Sequence, residues 1–147
     1  MTMMQKMQAK KSKKGFTLVE LVIVIAILAI LAAIAIPVIT TTINSAKLST
    51  LDSDKTTVDM VLKECINTYK TGNTVTKYNG ATADSCTVAS VFKEQNLDES
   101  ILNDRVIGGS HYRIVWSNGA CSISSGATAI SSGVINPSDT MATLSPM

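Results

Sequence analysis

The sequence predicts an α+β chain in which one long N-terminal α-helix packs on a small antiparallel β-sheet. Three observations predict it. The nineteen residues from Leu21 to Ile39 contain no polar or charged side chain, and no glycine occurs from Phe16 to Thr71. Beyond the apolar run, apolar residues recur at helical spacing as far as Tyr69. Near the C-terminus, His111-Tyr112-Arg113-Ile114-Val115-Trp116 is rich in β-formers and is followed by Asn118-Gly119, a strong two-residue hairpin turn.

Charge divides the chain at its start. Residues 1–15 carry Lys6, Lys10, Lys11, Lys13 and Lys14 and no acid, which leaves eight of the 13 basic residues against all 11 acids, a formal −3 for the remainder. The basic pI of 8.4 therefore belongs to the first fifteen residues. A mildly acidic body gives no case for nucleic-acid binding, which wants Lys and Arg clustered on one face. Five lysines ahead of a long apolar run place the N-terminus on the cytoplasmic side and the rest outside. Nineteen residues of helix span roughly 28 Å, close to the ~30 Å core of a bilayer.

Three readings compete for this run. A secretory signal peptide has a shorter apolar region followed by a small-residue cut site, which Ala32-Ala33-Ile34-Ala35 imitates. A buried core helix would need a later apolar partner, and none is large enough. A simple membrane anchor fits on composition. Glu20 separates the anchor from something more specific. A carboxylate at the head of a membrane helix is costly unless it lies at the interface, is protonated or is paired. Its bland role is to favour the positive end of the helix macrodipole.

Lys13-Lys14-Gly15-Phe16-Thr17-Leu18-Val19-Glu20-Leu21 resembles the processing site of type IV pilins and of the pseudopilins of type II secretion. The resemblance covers residues 13–21 and, through the apolar helix, extends to about residue 42. It implies a division into a cleaved leader (1–15), a transmembrane and filament-core helix (16–42) and an extracellular headgroup (43–147). It implies that a membrane-embedded prepilin peptidase cuts between Gly15 and Phe16 and methylates the new Phe16 amine. It further implies that Glu20 pairs with the Phe16 amine of a neighbouring subunit. Pro37 matches the family's frequent helix proline. The implied partners are copies of the same chain in a helical filament, the peptidase, and a pilus assembly platform with its ATPase. The chain would start as a single-pass protein of the cytoplasmic membrane and end in a surface pilus serving adhesion, twitching motility or DNA uptake. A pseudopilin of a secretion or competence system is the alternative. The order of parts is chemically sensible: cutting ahead of the apolar run removes the lysines and keeps the helix, and Gly15 lets a protease approach the backbone.

The second half of the helix is amphipathic. Leu48, Leu51, Val58, Val61, Leu62, Cys65 and Tyr69 form its apolar stripe, and Asp59 with Lys63 is a favourable i,i+4 pair. Gly72 is the expected stop. Pro37 lacks a backbone donor and is expected to kink or locally break the helix. The β-branched run Thr40-Thr41-Thr42-Ile43 weakens the same place.

Residues 72–86 read as loop. A short helix is expected from Val88 to Gln95, with Val88, Val91 and Phe92 on its apolar face. Cys121 to Ser124 is the expected return strand of the hairpin. A further strand is expected at Ala127–Ser131 or Gly133–Ile135, and an irregular tail from Pro137.

The remaining signals argue against an enzyme and against a bound cofactor. His111 is the only histidine and sits in the expected strand. No catalytic or phosphate-binding motif occurs, and the spacing of Cys65, Cys86 and Cys121 matches no zinc site. A signal-anchored extracellular enzyme or binding domain is the alternative from another class. For a disulfide, three pairings exist. Cys65 lies on the apolar stripe and reads as a buried thiol, which leaves Cys86 and Cys121 as the candidate pair. The related family often closes a C-terminal loop with a disulfide. Cys121 has no cysteine after it, so the absence of any disulfide stays open as well.

Overall fold

The computed structural model of the chain describes residues 15–70 and 82–145. The lysine-rich residues 1–14, the expected helix stop at Gly72 and most of the expected loop after it lie outside the described residues. The element order is α1 (Leu18–Lys70), α2 (Val88–Glu94), a 3-10 helix (Glu99–Leu102), β1 (Arg105–Ile107), β2 (Ser110–Ser117), β3 (Ala120–Gly126) and α3 (Met141–Leu144). The long helix and small antiparallel sheet make an α+β, pilin-like arrangement. The chain divides into two compact units between Thr41 and Thr42.

The first unit is the apolar part of α1. Its apolar residues are exposed along the whole length, from Phe16 at 91% to Ile39 at 54%. A helix apolar on every side is a membrane span or the interior of a bundle. Backbone helix continues through Pro37. The missing proline N–H leaves the Ala33 carbonyl without its usual partner. Just beyond, the Thr40 hydroxyl donates to the Pro37 carbonyl at 2.9 Å and the Thr41 hydroxyl to the Val38 carbonyl at 2.8 Å. The β-branched segment thus adds local side-chain bonds of a kind that competes with regular helix.

In the second unit the amphipathic part of α1 supplies Leu51, Val58, Leu62, Cys65 and Ile66 to the core. Leu48, at the edge of the expected stripe, stays on the surface, and Ile66, not among the expected stripe residues, joins the core beside Cys65. α2 adds Val88, Val91 and Phe92, as its apolar spacing predicts. Thr87 caps it by accepting from the Ser90 N–H at 3.3 Å. β2 contributes Ile114 and β3 contributes Cys121.

The sheet order is β1-β2-β3, antiparallel throughout. Both connections are two-residue hairpin turns with positive φ: Asn118 at 52° and Gly119 at 78°, Gly108 at 60° and Gly109 at 86°. That geometry suits the twist of adjoining strands and favours Asn and Gly. The first hairpin, and with it β1, was not expected from sequence. β1 is three residues long, too short to show alternation.

Two further corrections concern the C-terminal region. No strand forms at residues 127–131. At Gly133–Ile135 there is only a bridge between Val115 and Val134, with the Trp116 N–H donating to the Gly133 carbonyl at 2.8 Å. The tail is not irregular. α3 is capped reciprocally by Thr140 and Thr143, and it buries Met141 and Leu144. Its approach is clipped to the start of α2: Val88 N–H donates to the Asp139 carbonyl at 2.9 Å and Met141 N–H to the Cys86 carbonyl at 3.0 Å. The Trp116 indole N–H donates to the Leu144 carbonyl at 2.8 Å.

Asp59 joins α1 to the sheet. Because Ser117 and Ala120 flank the two-residue turn, the Cys121 N–H points away from β2. It donates to Asp59 Oδ1 at 2.7 Å, while Lys63 Nζ lies 2.7 Å from Asp59 Oδ2. Partial burial works to raise the Asp59 pKa, but the hydrogen bonds from Lys63 and Cys121 outweigh it and hold the carboxyl below its usual range. An Asp59→Ala substitution strands the Cys121 donor. It is expected to destabilise the head by about 1–3 kcal/mol in denaturant titration, with Asp59→Asn closer to the parent. Since the folded pKa is depressed, the contribution of Asp59 is present above the ordinary carboxylate pKa. It is lost as pH falls through the lower folded value. The acid limb of the stability curve should therefore flatten in the Ala variant.

Candidate functional site

The N-terminal end of α1 is built from Thr17 outward. The Leu21 N–H donates to the Thr17 carbonyl at 3.3 Å, which makes Thr17 the cap and Glu20 the third helical residue. Thr17 Oγ1 accepts the Glu20 N–H at 3.3 Å, and Glu20 Oε2 accepts the Thr17 N–H at 2.9 Å. The Thr17 hydroxyl adds a third bond to Oε2 at 3.0 Å. This is a capping box, which satisfies two of the donors a helix start leaves open. The T-x-x-E spelling of Thr17-Leu18-Val19-Glu20 carried the signal. Thr17 is thus a site residue that reading for charge alone overlooks.

The box uses only one carboxylate oxygen. Oε1 of Glu20 has no partner among the described residues, so a second donor can approach it without dismantling the cap. Phe16 and Glu20 line one apolar groove of about 460 Å³ with Leu21, Ile23 and Val24. Gly15 has open space where a side chain would stand. The peptide between Gly15 and Phe16 therefore lies one residue ahead of a capped helix start, and Gly15 adds no side chain to it.

Pro37 lies in the first unit, and the candidate cysteines and His111 lie in the second. Cys65, Cys86 and Cys121 are all buried in its core. No bond joins Cys86 to Cys121, and each is a free thiol. Cys86 Sγ lies 3.7 Å from Ser90 Oγ. Burial, reinforced by the Asp59 carboxylate, pushes the Cys121 thiol up to about 12, so it stays protonated and unreactive. Cys86 and Cys121 pack here as small apolar side chains.

His111 lies at the start of β2, as the sequence predicts, and its Nδ1 bonds the Asp104 carboxylate. That bond, only partly offset by burial, lowers the Asp104 pKa. The neighbouring bonds of Asp104 and Arg113 are structural. Asp104 Oδ1 accepts the Ile130 N–H at 3.4 Å, and Arg113 donates to the Leu102 carbonyl at 2.9 Å and the Ile130 carbonyl at 3.3 Å. Together they hold the 3-10 helix and residue 130 against β2.

A capped apolar helix with one carboxylate at its head is long and apolar enough to cross a membrane. Residues 10–36 match the family model of the prokaryotic N-terminal methylation motif, which is the type IV pilin/prepilin-like signature. The chain therefore carries the mark of a type IV pilin-like or pseudopilin precursor, a structural subunit in kind. The match spans the end of the leader and the apolar helix and leaves the head outside it. Neither a curated protein nor a solved structure matches the chain.

Proposed function

We propose that the chain is the repeating subunit of a type IV pilus, made as a precursor, cut between Gly15 and Phe16 and methylated on the Phe16 amine. Residues 1–15 are the leader, 16–42 the span that becomes filament core, and 43–147 the extracellular head. Before assembly the span crosses the cytoplasmic membrane with the lysines inside and the head outside. Prepilin peptidase processes it, and an assembly platform with its ATPase draws it into a filament of identical copies.

The observation that carries this reading is the single carboxylate of Glu20 at the head of a helix exposed and apolar on all sides. In lipid or in a bundle of such helices, that charge requires a cation. Cleavage creates one, the Phe16 amine, and methylation keeps it basic. Oε1 of Glu20 is the oxygen open to the amine of a neighbouring copy, while Oε2 holds the cap. The charged pair sets the axial register of one helix on the next. Pro37 and the threonines after it form the joint at which α1 bends or unwinds in the filament.

Mass spectrometry of the mature chain tests the processing step. It is expected to show an N-terminus at Phe16 bearing one methyl group. An intact leader would favour a plain membrane anchor, and a cut near Ala35 a secreted protein. Shearing of cells followed by microscopy separates a pilus subunit from a pseudopilin, since only the former gives long surface fibres carrying this chain.

A further inference from the structure

β1 is an edge strand. Ile107 and Ser110 flank a two-residue turn, so Arg105 and Ile107 direct their backbone groups toward β2, and Val106 directs its N–H and C=O outward. The Val106 side chain is 58% exposed. The strand borders a groove of about 320 Å³ shared with Lys47 and Thr50 of α1. Arg105 is neutralised there by Asp54 at 2.8 Å. Lys47 has no ion-pair partner among the described residues. Among the described residues the groove thus offers an unpaired cation, an exposed apolar side chain and outward backbone groups at Val106 with no partner. A strand edge left open in this way is a template for another chain.

The corner between α2 and the 3-10 helix has the opposite character. Glu94, Asp98 and Glu99 are exposed there around Lys93. Asp98 is engaged in capping the 3-10 helix through the Ser100 N–H at 2.8 Å. Glu94 and Glu99 have no ion-pair partner among the described residues. Leu97 lies half-buried between them. Asn96, in the turn between them, has a positive φ of 54°.

A filament that repeats one rotation and rise joins two different patches of the same chain, never a patch to itself. A basic, partly apolar groove and an acidic, partly apolar corner on one head meet that requirement. Charge complementarity of this kind selects partner and register. We propose that the groove at Lys47 and Val106 receives the Leu97–Glu99 corner of a neighbouring copy, with Glu99 facing Lys47. The inference rests on the filament reading and adds to it a contact between heads, separate from the one at Glu20.

The test uses the full-length chain in cells that assemble it. Lys47→Glu and Glu99→Lys are each expected to lower the yield of sheared filaments by about tenfold at equal precursor level, and the combined chain to recover most of the yield. Parent-like yield from both single variants, or a combined chain no better than the worse single, overturns the contact. Failure of the parent to form filaments would instead sink the filament reading, so a second measurement is made in membranes. A chain carrying Val106→Cys and Leu97→Cys is treated with a bis-maleimide linker. Dimers that need both cysteines support the contact, and monomer alone overturns it.

Discussion

A Glu20→Ala chain is expected to be cut after Gly15 and to remain in the membrane, yet to yield few or no filaments. Two losses follow from the substitution, and their sizes decide which dominates. The capping box loses its carboxylate arm, at about 0.3–1.5 kcal/mol. The Phe16 amine of the neighbouring copy loses its counter-charge, and removing one partner of a buried pair costs about 3–5 kcal/mol. The second cost recurs at every subunit, so assembly fails even though the single chain remains folded. Glu20→Gln separates the two terms. The amide oxygen still accepts the Thr17 N–H and keeps the cap, as glutamine does in other capping boxes, but it carries no charge. Filament yield from the Gln variant should therefore fall with that of the Ala variant. Thr17→Ala weakens the cap but leaves the charge, and should lower yield much less. Normal filaments from Glu20→Gln would remove the charge pair from the mechanism.

Phe92→Ala is expected to give the largest loss of head stability, about 3–5 kcal/mol. Phe92 is fully buried and packs in one core with residues of α1, β2 and α3. Truncation leaves a cavity among elements distant in sequence, which relax only partly to fill it. Against a typical stability of about 5–15 kcal/mol, a head of this size has little margin. The midpoint of urea denaturation of the detergent-solubilised chain should fall by about 1–5 M, given slopes of about 1–3 kcal/mol per molar. An unchanged midpoint would mean that α2 does not seal the core as described. The apolar part of α1 should retain its helix signal in the same titration, because none of it contributes to that core.

The parts readable from sequence share one property: each is specified by residues close along the chain. α1 starts within a few residues of expectation and runs unbroken to Lys70, the last residue described before 82, because glycine is absent and apolar spacing is continuous. α2 was readable from Val88, Val91 and Phe92, and β2–β3 from the Asn118-Gly119 turn. Glu20 stood out as one charge against an uninterrupted apolar background. Thr17 was equally local, and its role was legible in the T-x-x-E spelling.

The rest depends on partners far apart in sequence. β1 exists because Arg105–Ile107 finds β2 across Gly108-Gly109 and because Arg105 meets Asp54. Three residues have too little pattern of their own to announce a strand. α3 is a four-residue helix whose position is set by backbone bonds to residues 83–89 and by the Trp116 indole. Composition spoke only of an irregular Ser/Thr tail. The cysteines show the same limit. Their number was plain, but whether Cys86 meets Cys121 depends on where a helix and a strand deliver two side chains. Local chemistry could name the long apolar helix and the charge at its head, because each is specified by neighbours a few residues away. The packing of the head had to be seen folded, because its contacts are made where loops return the chain and no local propensity encodes the return.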